Sequence, residues 1–281
     1  MKGGCIDKYF YIFIIQVILM IKAIFFDIDG TLVSFKTHKI PESTIQALHT
    51  LKAKGIKLFI ATGRPPYDLK FLIDEFGDLF SGYITFNGQY CYDSTGKILH
   101  EEYLNREDLI QFTNYIKNKD IACGFMEIDY FYFNLYNDRL AKLKETLGDT
   151  APDRAFDDVS RVSNHKTYQL NIFLNEDEEQ EVLPYLPNCK AVRWCPYFTD
   201  IIPKDGGKGT GIKKVLAHYG IDINEAMAFG DGGNDVEMLE AVKYGIAMGN
   251  ANDNLKQIAD FITLDVDNDG VAYALKQYNV L

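Results

Sequence analysis

Positive charge is scarce in this sequence. Lysine and arginine number 29 against 40 aspartates and glutamates, for a formal net charge of −11 and a pI near 4.9. A nucleic-acid backbone binder needs a basic stripe that displaces condensed counterions, so that class of partner is excluded. An anionic small molecule would have to find its cations locally. Cysteines are also few. Cys5, Cys91, Cys123, Cys189 and Cys195 make an odd set of five with no C-x-x-C spacing, which suggests neither a disulfide framework nor a zinc site and fits reduced thiols in a cytoplasm. The five histidines are scattered without metal spacing, and no internal repeat or low-complexity segment occurs. Long apolar runs are missing as well. Tyr9 to Ile21, YFYIFIIQVILMI, is thirteen residues broken by Gln16, too short for a membrane span, which needs roughly 20 residues.

That N-terminal run resembles a signal peptide, with Lys2 and Lys8 ahead of it, but no small-x-small cleavage motif precedes the strand-like IKAIFFDIDG. Cleavage there would remove the first core strand. Met20 stands directly before that strand, so the reading is that translation starts at Met20 and residues 1–19 are an upstream extension. A membrane anchor and an added structural segment are the alternatives, and no membrane is expected unless the segment is real.

At 281 residues and 47% hydrophobic, the chain can bury one large core or two modest ones. The apolar run IKAIFF ends in two carboxylates one residue apart, Asp27 and Asp29, followed by a Gly-Thr turn. A carboxylate at the end of a buried strand must be paired, bound to metal or neutralised. Pro41 to Gly55 follows with helical spacing at Ile45, Leu48 and Leu51, closed by its glycine. IKLFIATGR is a second strand, PPYDLKFLIDEFG a helix and GYITFNG a third strand. This is the strand–helix–strand unit of a parallel sheet.

Beyond Asn87 the texture changes. QYCYDSTGKILHEEY reads as a hairpin, followed by helical REDLIQFTNYIKNKD, strand-like FMEIDYFYFNLY, helical NDRLAKLKETLG, strand-like KTYQLNIFL, helical NEDEEQEVLPYL and strand-like KAVRWCPYFTDIIP. After position 200 helices and strands alternate again: GIKKVLAHYG, EAMAFGDGGND, VEMLEAVKYG, GIAMG, NDNLKQIAD and FITLDVD. The expected architecture is α/β, a doubly wound parallel-sheet core formed by residues 20–85 and 201–281, interrupted by an α+β insertion at 86–200.

In open α/β sheets ligands sit beyond the carboxyl ends of the strands, at the topological switch point. Three polar clusters fall at such ends: DIDGT at 27–31, TGR at 62–64 and GDGGND at 230–235. They supply Asp27, Asp29, Asp231, Asp235, Thr31, Thr62 and Asn234, an all-oxygen inventory that suits Mg²⁺ rather than zinc or copper. A bound cation would reverse the local charge and admit a phosphate. One of Asp27 and Asp29 could then attack phosphorus while the other moves the leaving-group proton. Lys208, the basic residue within DGGKGTG, could face the charge of the phosphoryl group in transfer. Lys204 is its close competitor. Two sequences are decoys. DVDNDG at 265–270 opens like a calcium loop but has Lys276 at the twelfth position, where a bidentate glutamate belongs. GGKGTG matches neither the P-loop nor the dinucleotide spacing.

These motifs together resemble the haloacid dehalogenase-like (HAD) superfamily, and within it the Cof-type, class IIB phosphatases, over Ile21 to Leu281. DIDGTLV is similar to the first motif, which implies Asp27 as nucleophile and Asp29 as general acid/base. TGR is similar to the second, with Thr62 and Gly63 at the phosphoryl oxygens. Lys208 in KGTGIKKVL resembles the lysine of the third. GDGGND resembles the fourth, with Asp231 beside Asp27 and the backbone carbonyl of Asp29 around Mg²⁺, and with Asn234 and Asp235 as unranked further metal or phosphate positions. The resemblance also implies that Asn87-Gly88, with Arg64 nearby, marks the start of an α/β cap that closes over the ester and sets specificity.

The expected protein is a cytoplasmic, Mg²⁺-dependent phosphoric monoester hydrolase acting through an aspartyl phosphate. By resemblance, sugar phosphates lead as substrates, with flavin and pyridoxal phosphates behind. A phosphomutase or phosphotransferase on the same scaffold, or a non-catalytic phosphate-ligand binding protein, is the alternative. The aromatics Tyr130, Phe131, Tyr132 and Phe133 are read as packing of the cap in preference to a platform for an aromatic ligand.

Overall fold

The structure, a computed structural model, describes residues 21–147, 155–193 and 197–281. The expectations for residues 1–19, with Cys5 and Cys195, lie outside the described residues. Among the described residues no helix is long and apolar enough to cross a membrane.

The chain opens with β1 (Ala23–Phe26), whose four side chains are all buried. A strand buried on both faces reads as a continuous apolar run, and β1 feeds two separate cores. Ile24 and Phe26 point into one, and Ala23 and Phe25 into the other. Phe26 stacks on Phe229 with ring centroids 5.2 Å apart, and Phe25 on Phe59 at 4.9 Å. Burial of one such ring contributes roughly 1.5–3 kcal/mol, so a charged residue at either position would undo the centre of the sheet.

Parallel strands flank β1 on both sides, with β2 (Lys57–Ala61) then β3 (Gly82–Thr85) on one, and β12 (Ala226–Gly230), β13 (Tyr244–Ala247) and β14 (Phe261–Ile262) on the other. Helices α1 (Glu42–Ala53), α2 (Lys70–Phe76) and α9 (Gly270–Gln277) cover the Ile24 face. On the Phe25 face lie α6 (Lys208–Tyr219), α7 (Val236–Glu240) and α8 (Asp253–Ile258). This is the doubly wound α/β fold expected. Its strand order reverses between β1 and β12, which places the carboxyl ends of these two strands side by side at the switch point.

The second sheet contains β6 (Cys123–Met126), β7 (Phe131–Phe133), β8 (Ala155–Phe156), β9 (Gln169–Ile172), β10 (Cys189–Val192) and β11 (Thr199–Pro203), in the order β10-β11-β9-β6-β7-β8. It is antiparallel except for β7 with β8. Its core side carries α3 (Arg106–Ile116), α4 (Asp138–Leu147) and α5 (Glu176–Val182).

The sheets divide the chain differently from the boundaries 86 and 200. The hairpin of β4 (Tyr90–Asp93) and β5 (Ile98–Glu101) adds two antiparallel strands to the edge of the large sheet, because β4 pairs with β3 from Gly82↔Asp93 to Thr85↔Tyr90. At the far end β11 stays in the small sheet to Pro203.

Two strand-like runs each contain two antiparallel strands. FMEIDYFYFNLY folds back at Glu127, whose amide N–H donates to the Tyr130 carbonyl at 2.8 Å. Within KAVRWCPYFTDIIP, β10 and β11 pair antiparallel. The aromatic run is packing: Tyr132 is fully buried and stacks on Phe125 at 5.0 Å, while Phe133 meets Phe173 at 5.9 Å.

Candidate active site

The first carboxylate leaves β1 at its carboxyl end. The Asp27 N–H continues the ladder by donating to the Phe229 carbonyl at 3.0 Å, and the chain then turns tightly, with the Val33 N–H donating to the Ile28 carbonyl at 2.7 Å. Gly30 sits in that turn at φ +84°, and a Cβ there would lie 2.2 Å from Asp231 Oδ2. Only glycine satisfies both the left-handed backbone and the approach of that carboxylate.

β12 ends beside β1 and brings in Asp231 and Asp235. One oxygen each of Asp27, Asp231 and Asp235 lies within 4.8 Å of the others. The Lys208 side chain, fully enclosed at the start of α6, donates from Nζ to Asp27 Oδ1 and to Asp235 Oδ1, each at 2.6 Å. Asp235 is consumed by this arrangement, because its Oδ2 also accepts the backbone N–H groups of Asp231 and Gly232, both at 2.9 Å. Lys204 is exposed and lies outside the cluster.

Three buried carboxylates around one ammonium leave an excess of negative charge. Burial pushes the Asp27 carboxyl up to about 7; Lys208 opposes the rise, and Asp235 and Asp29 add to it. Burial likewise raises Asp231 to about 8, with the Asp27 charge as the next cause. Burial alone would lower Lys208, but the charges of Asp235 and Asp27 outweigh it and raise the ammonium well above its usual range. The Asp231 carboxylate is steadied from both sides, by Thr31 Oγ1 at 3.3 Å and by Asn250 Nδ2 at 3.3 Å. A set of hard oxygen donors with unbalanced charge fits a small dication, with Asp27 and Asp231 the carboxylates least occupied by other partners.

Asp29 stands apart. Arg64 grips it with both arms of the guanidinium, Nε to Oδ2 at 2.8 Å and Nη2 to Oδ1 at 2.6 Å. The Arg64 head also lies over the Phe71 ring, 5.5 Å from its centroid. The geometry therefore does not bring the Asp29 carboxylate into the cluster with the other three. The second motif is buried at Thr62, whose hydroxyl accepts the Arg64 N–H at 3.1 Å.

Asn87 joins the two sheets at this site. It occupies the left-handed region at φ +53°, and a Cβ on Gly63 would sit 3.1 Å from its Nδ2. Its Oδ1 accepts from Asn234 Nδ2 at 3.0 Å, while its Nδ2 donates to Gln169 at 3.0 Å and to Asp200 at 2.8 Å. Asn171, the register partner of Asp200, completes the network. Gly88, at φ +105°, packs so closely that a Cβ would meet the Gly207 carbonyl oxygen at 2.1 Å.

Sequence reasoning missed Gln169, Asn171, Asp200 and Asn250. Gln169 and Asn171 alternate with Leu170 and Ile172 on β9, which is the available signal, while Asp200 stands between Thr199 and Ile201 on β11 without such a pattern. Asn250 follows the glycine at the end of GIAMG, a strand end like the other three.

The sequence profile of haloacid dehalogenase-like hydrolases matches residues 24–275, and the chain belongs to that family. It is 35% identical over 260 residues to the putative phosphatase YkrA of Bacillus subtilis (strain 168), covering 92% of this chain and 98% of that one. It is 33% identical over 239 residues to an HMP-PP phosphatase of Yersinia pseudotuberculosis, covering 83% and 85%. Among solved structures, one described as the HAD subclass IIB sugar phosphatase BT4131 superposes with a TM-score of 0.84 at 39% identity, covering 92% of this chain and 100% of that one. The family, the α/β fold and the enzyme class expected from the motifs are borne out.

Proposed function

We propose that the protein is a cytoplasmic, Mg²⁺-dependent phosphatase of small phosphate monoesters, with sugar phosphates as the leading substrate class. The observation that carries this reading is the buried Lys208 holding Asp27 at 2.6 Å inside a cluster whose other carboxylates are Asp231 and Asp235. The BT4131 and YkrA relationships support it. Asp27 and Asp231 would hold the cation together with the Asp29 backbone carbonyl, and the small sheet with its helices would act as the cap.

Asp27 is the nucleophile. Lys208 fixes one of its oxygens and opposes its protonation, so the other oxygen is available to attack phosphorus and form an aspartyl phosphate. Thr62 and Lys208 donate to the phosphoryl oxygens, where negative charge spreads in the transition state. Asp29 gives a proton to the departing oxygen and then takes one from the water that hydrolyses the intermediate. When bound, Mg²⁺ supplies charge neutralisation and alignment of the phosphoryl group.

The test is phosphate release from sugar, nucleotide and cofactor phosphates, with and without Mg²⁺, by wild type and by folded Asp27→Asn. Metal-dependent release that disappears in the variant, with one atom of labelled oxygen from water in each phosphate, is the expected result. Release that survives in Asp27→Asn refutes the choice of nucleophile. Conversion of the ester into an isomeric phosphate without release of inorganic phosphate points to a phosphomutase.

A further inference from the structure

Asn250 lies between β13 and α8, at the carboxyl end of a strand next to the cluster, and makes three directional contacts with three different loops. Its Nδ2 donates to the Gly30 carbonyl at 2.8 Å and to Asp231 Oδ2 at 3.3 Å. Its Oδ1 accepts the Val266 N–H at 2.9 Å. That last contact fixes which way round the amide lies, because only the oxygen can face an N–H. Both hydrogens of the NH₂ group are then committed, one to the turn that carries Asp27 and Asp29 and the other to the Asp231 carboxylate.

The same segment also grips Asp231 by its backbone, since the Asn252 N–H donates to the Asp231 carbonyl at 3.2 Å. Alanine at position 250 would remove the side-chain hold and leave only the Thr31 hydroxyl on that carboxylate. The carboxylate could then rotate about its own side-chain torsions. Leucine or valine could fill the space but could not donate.

We propose that Asn250 is a positioning residue that locks the Asp231 carboxylate in the orientation that receives the cation and ties it to the Asp27–Gly30 turn. The inference rests on the reading of Asp231 as a metal carboxylate. Partners that orient metal-binding carboxylates are worth about 10–100-fold in metal affinity. The residue acts on metal binding rather than on the chemistry, so its loss separates the two. More Mg²⁺ is needed for half-maximal activity, while kcat at saturating Mg²⁺ returns to within a few-fold of wild type.

The experiment is calorimetric titration of Mg²⁺ into the full chain, wild type and Asn250→Ala, with the Mg²⁺-dependent rise in the thermal unfolding midpoint as an independent reading. Asn250→Ala should bind Mg²⁺ about 10–100-fold more weakly and show a smaller midpoint rise at the same Mg²⁺ concentration. If Asn250→Ala does not fold, Asn250→Ser, which keeps a polar side chain too short to reach both acceptors, takes its place. A folded variant with wild-type Mg²⁺ affinity overturns the proposal, as does one that loses kcat at saturating Mg²⁺ with unchanged affinity. Wild type that binds no Mg²⁺ by either reading overturns the magnesium reading itself and this inference with it.

Discussion

Replacing Lys208 by methionine keeps the length and apolar stem of the side chain and removes only its charge and donors. The ammonium is fully enclosed and bonded to Asp27 and Asp235 at 2.6 Å each, so its loss leaves two buried carboxylates without their counter-charge, beside Asp231. Removing one partner of a buried pair costs about 3–5 kcal/mol. In a protein of this size 1 kcal/mol moves the unfolding midpoint by about 2–4 °C, so the expected fall is roughly 6–20 °C. The loss should be largest at pH 8 and smaller at pH 5, where protonation of the freed carboxylates relieves their repulsion. Mg²⁺ should recover part of it at pH 8 by supplying the missing positive charge. Denaturant unfolding of Lys208→Met at both pH values, with and without Mg²⁺, measures all three effects. Turnover should fall about 10²–10³-fold, the cost of removing one donor to a developing oxyanion. A variant as stable as wild type at pH 8 in metal-free buffer would refute the claim that Lys208 is the charge on which the cluster depends.

Wild type without metal should lose stability as pH rises from about 4 to about 8. Asp27 and Asp231 titrate at about 7 and about 8 in the folded protein against an ordinary 3.8, so the folded state holds the extra protons across that window and gives them up as pH climbs. Saturating Mg²⁺ should flatten the profile, and a midpoint equally flat without metal counts against the cluster. Gly88→Ala adds a methyl 2.1 Å from the Gly207 carbonyl at a position already at φ +105°. Strain and overpacking together should cost roughly 2–6 kcal/mol. Gly96→Ala is the control, with φ +85° and open space around its Cβ; equal losses by chemical denaturation would show that the close approach at Gly88 carries no cost.

The parts of this molecule visible in the sequence are those with a local cause. Buried parallel strands must be apolar on both faces, and polar turns must follow them, so IKAIFF, KLFIA and AMAFG announce both the sheet and the places where its chemistry collects. What stayed hidden depends on pairing over distance. The β4–β5 hairpin has the same alternation whether it extends the large sheet or begins the small one, and only the register with β3 decides. The turn inside FMEIDYFYFNLY has no glycine or proline to mark it. Lys208 could be preferred to Lys204 by its place among the glycines, but its burial against Asp27 and Asp235 comes from how α6 meets two strand ends. Asn250 stands at a strand end like the other clusters, but a single amide after a Met-Gly pair has a role only once Gly30, Asp231 and Val266 have been brought around it.

The two aspartates one residue apart illustrate how a fold divides labour between identical groups. Asp27 is still in the strand's ladder, so its carboxylate faces Lys208 and the Asp231–Asp235 cluster, where burial pushes it up and the ammonium holds it down. Asp29 is past the turn, and its carboxylate meets Arg64 from the neighbouring strand end at 2.6 and 2.8 Å. The guanidinium takes one acceptor position on each Asp29 oxygen in charge-assisted bonds and leaves the second on each open to another partner. Arg64 is half-buried and rests on Phe71. Two carboxylates one residue apart thus meet two different cations, Lys208 inside the cluster and Arg64 outside it, and on the mechanism proposed above these two settings correspond to the nucleophile and the proton carrier.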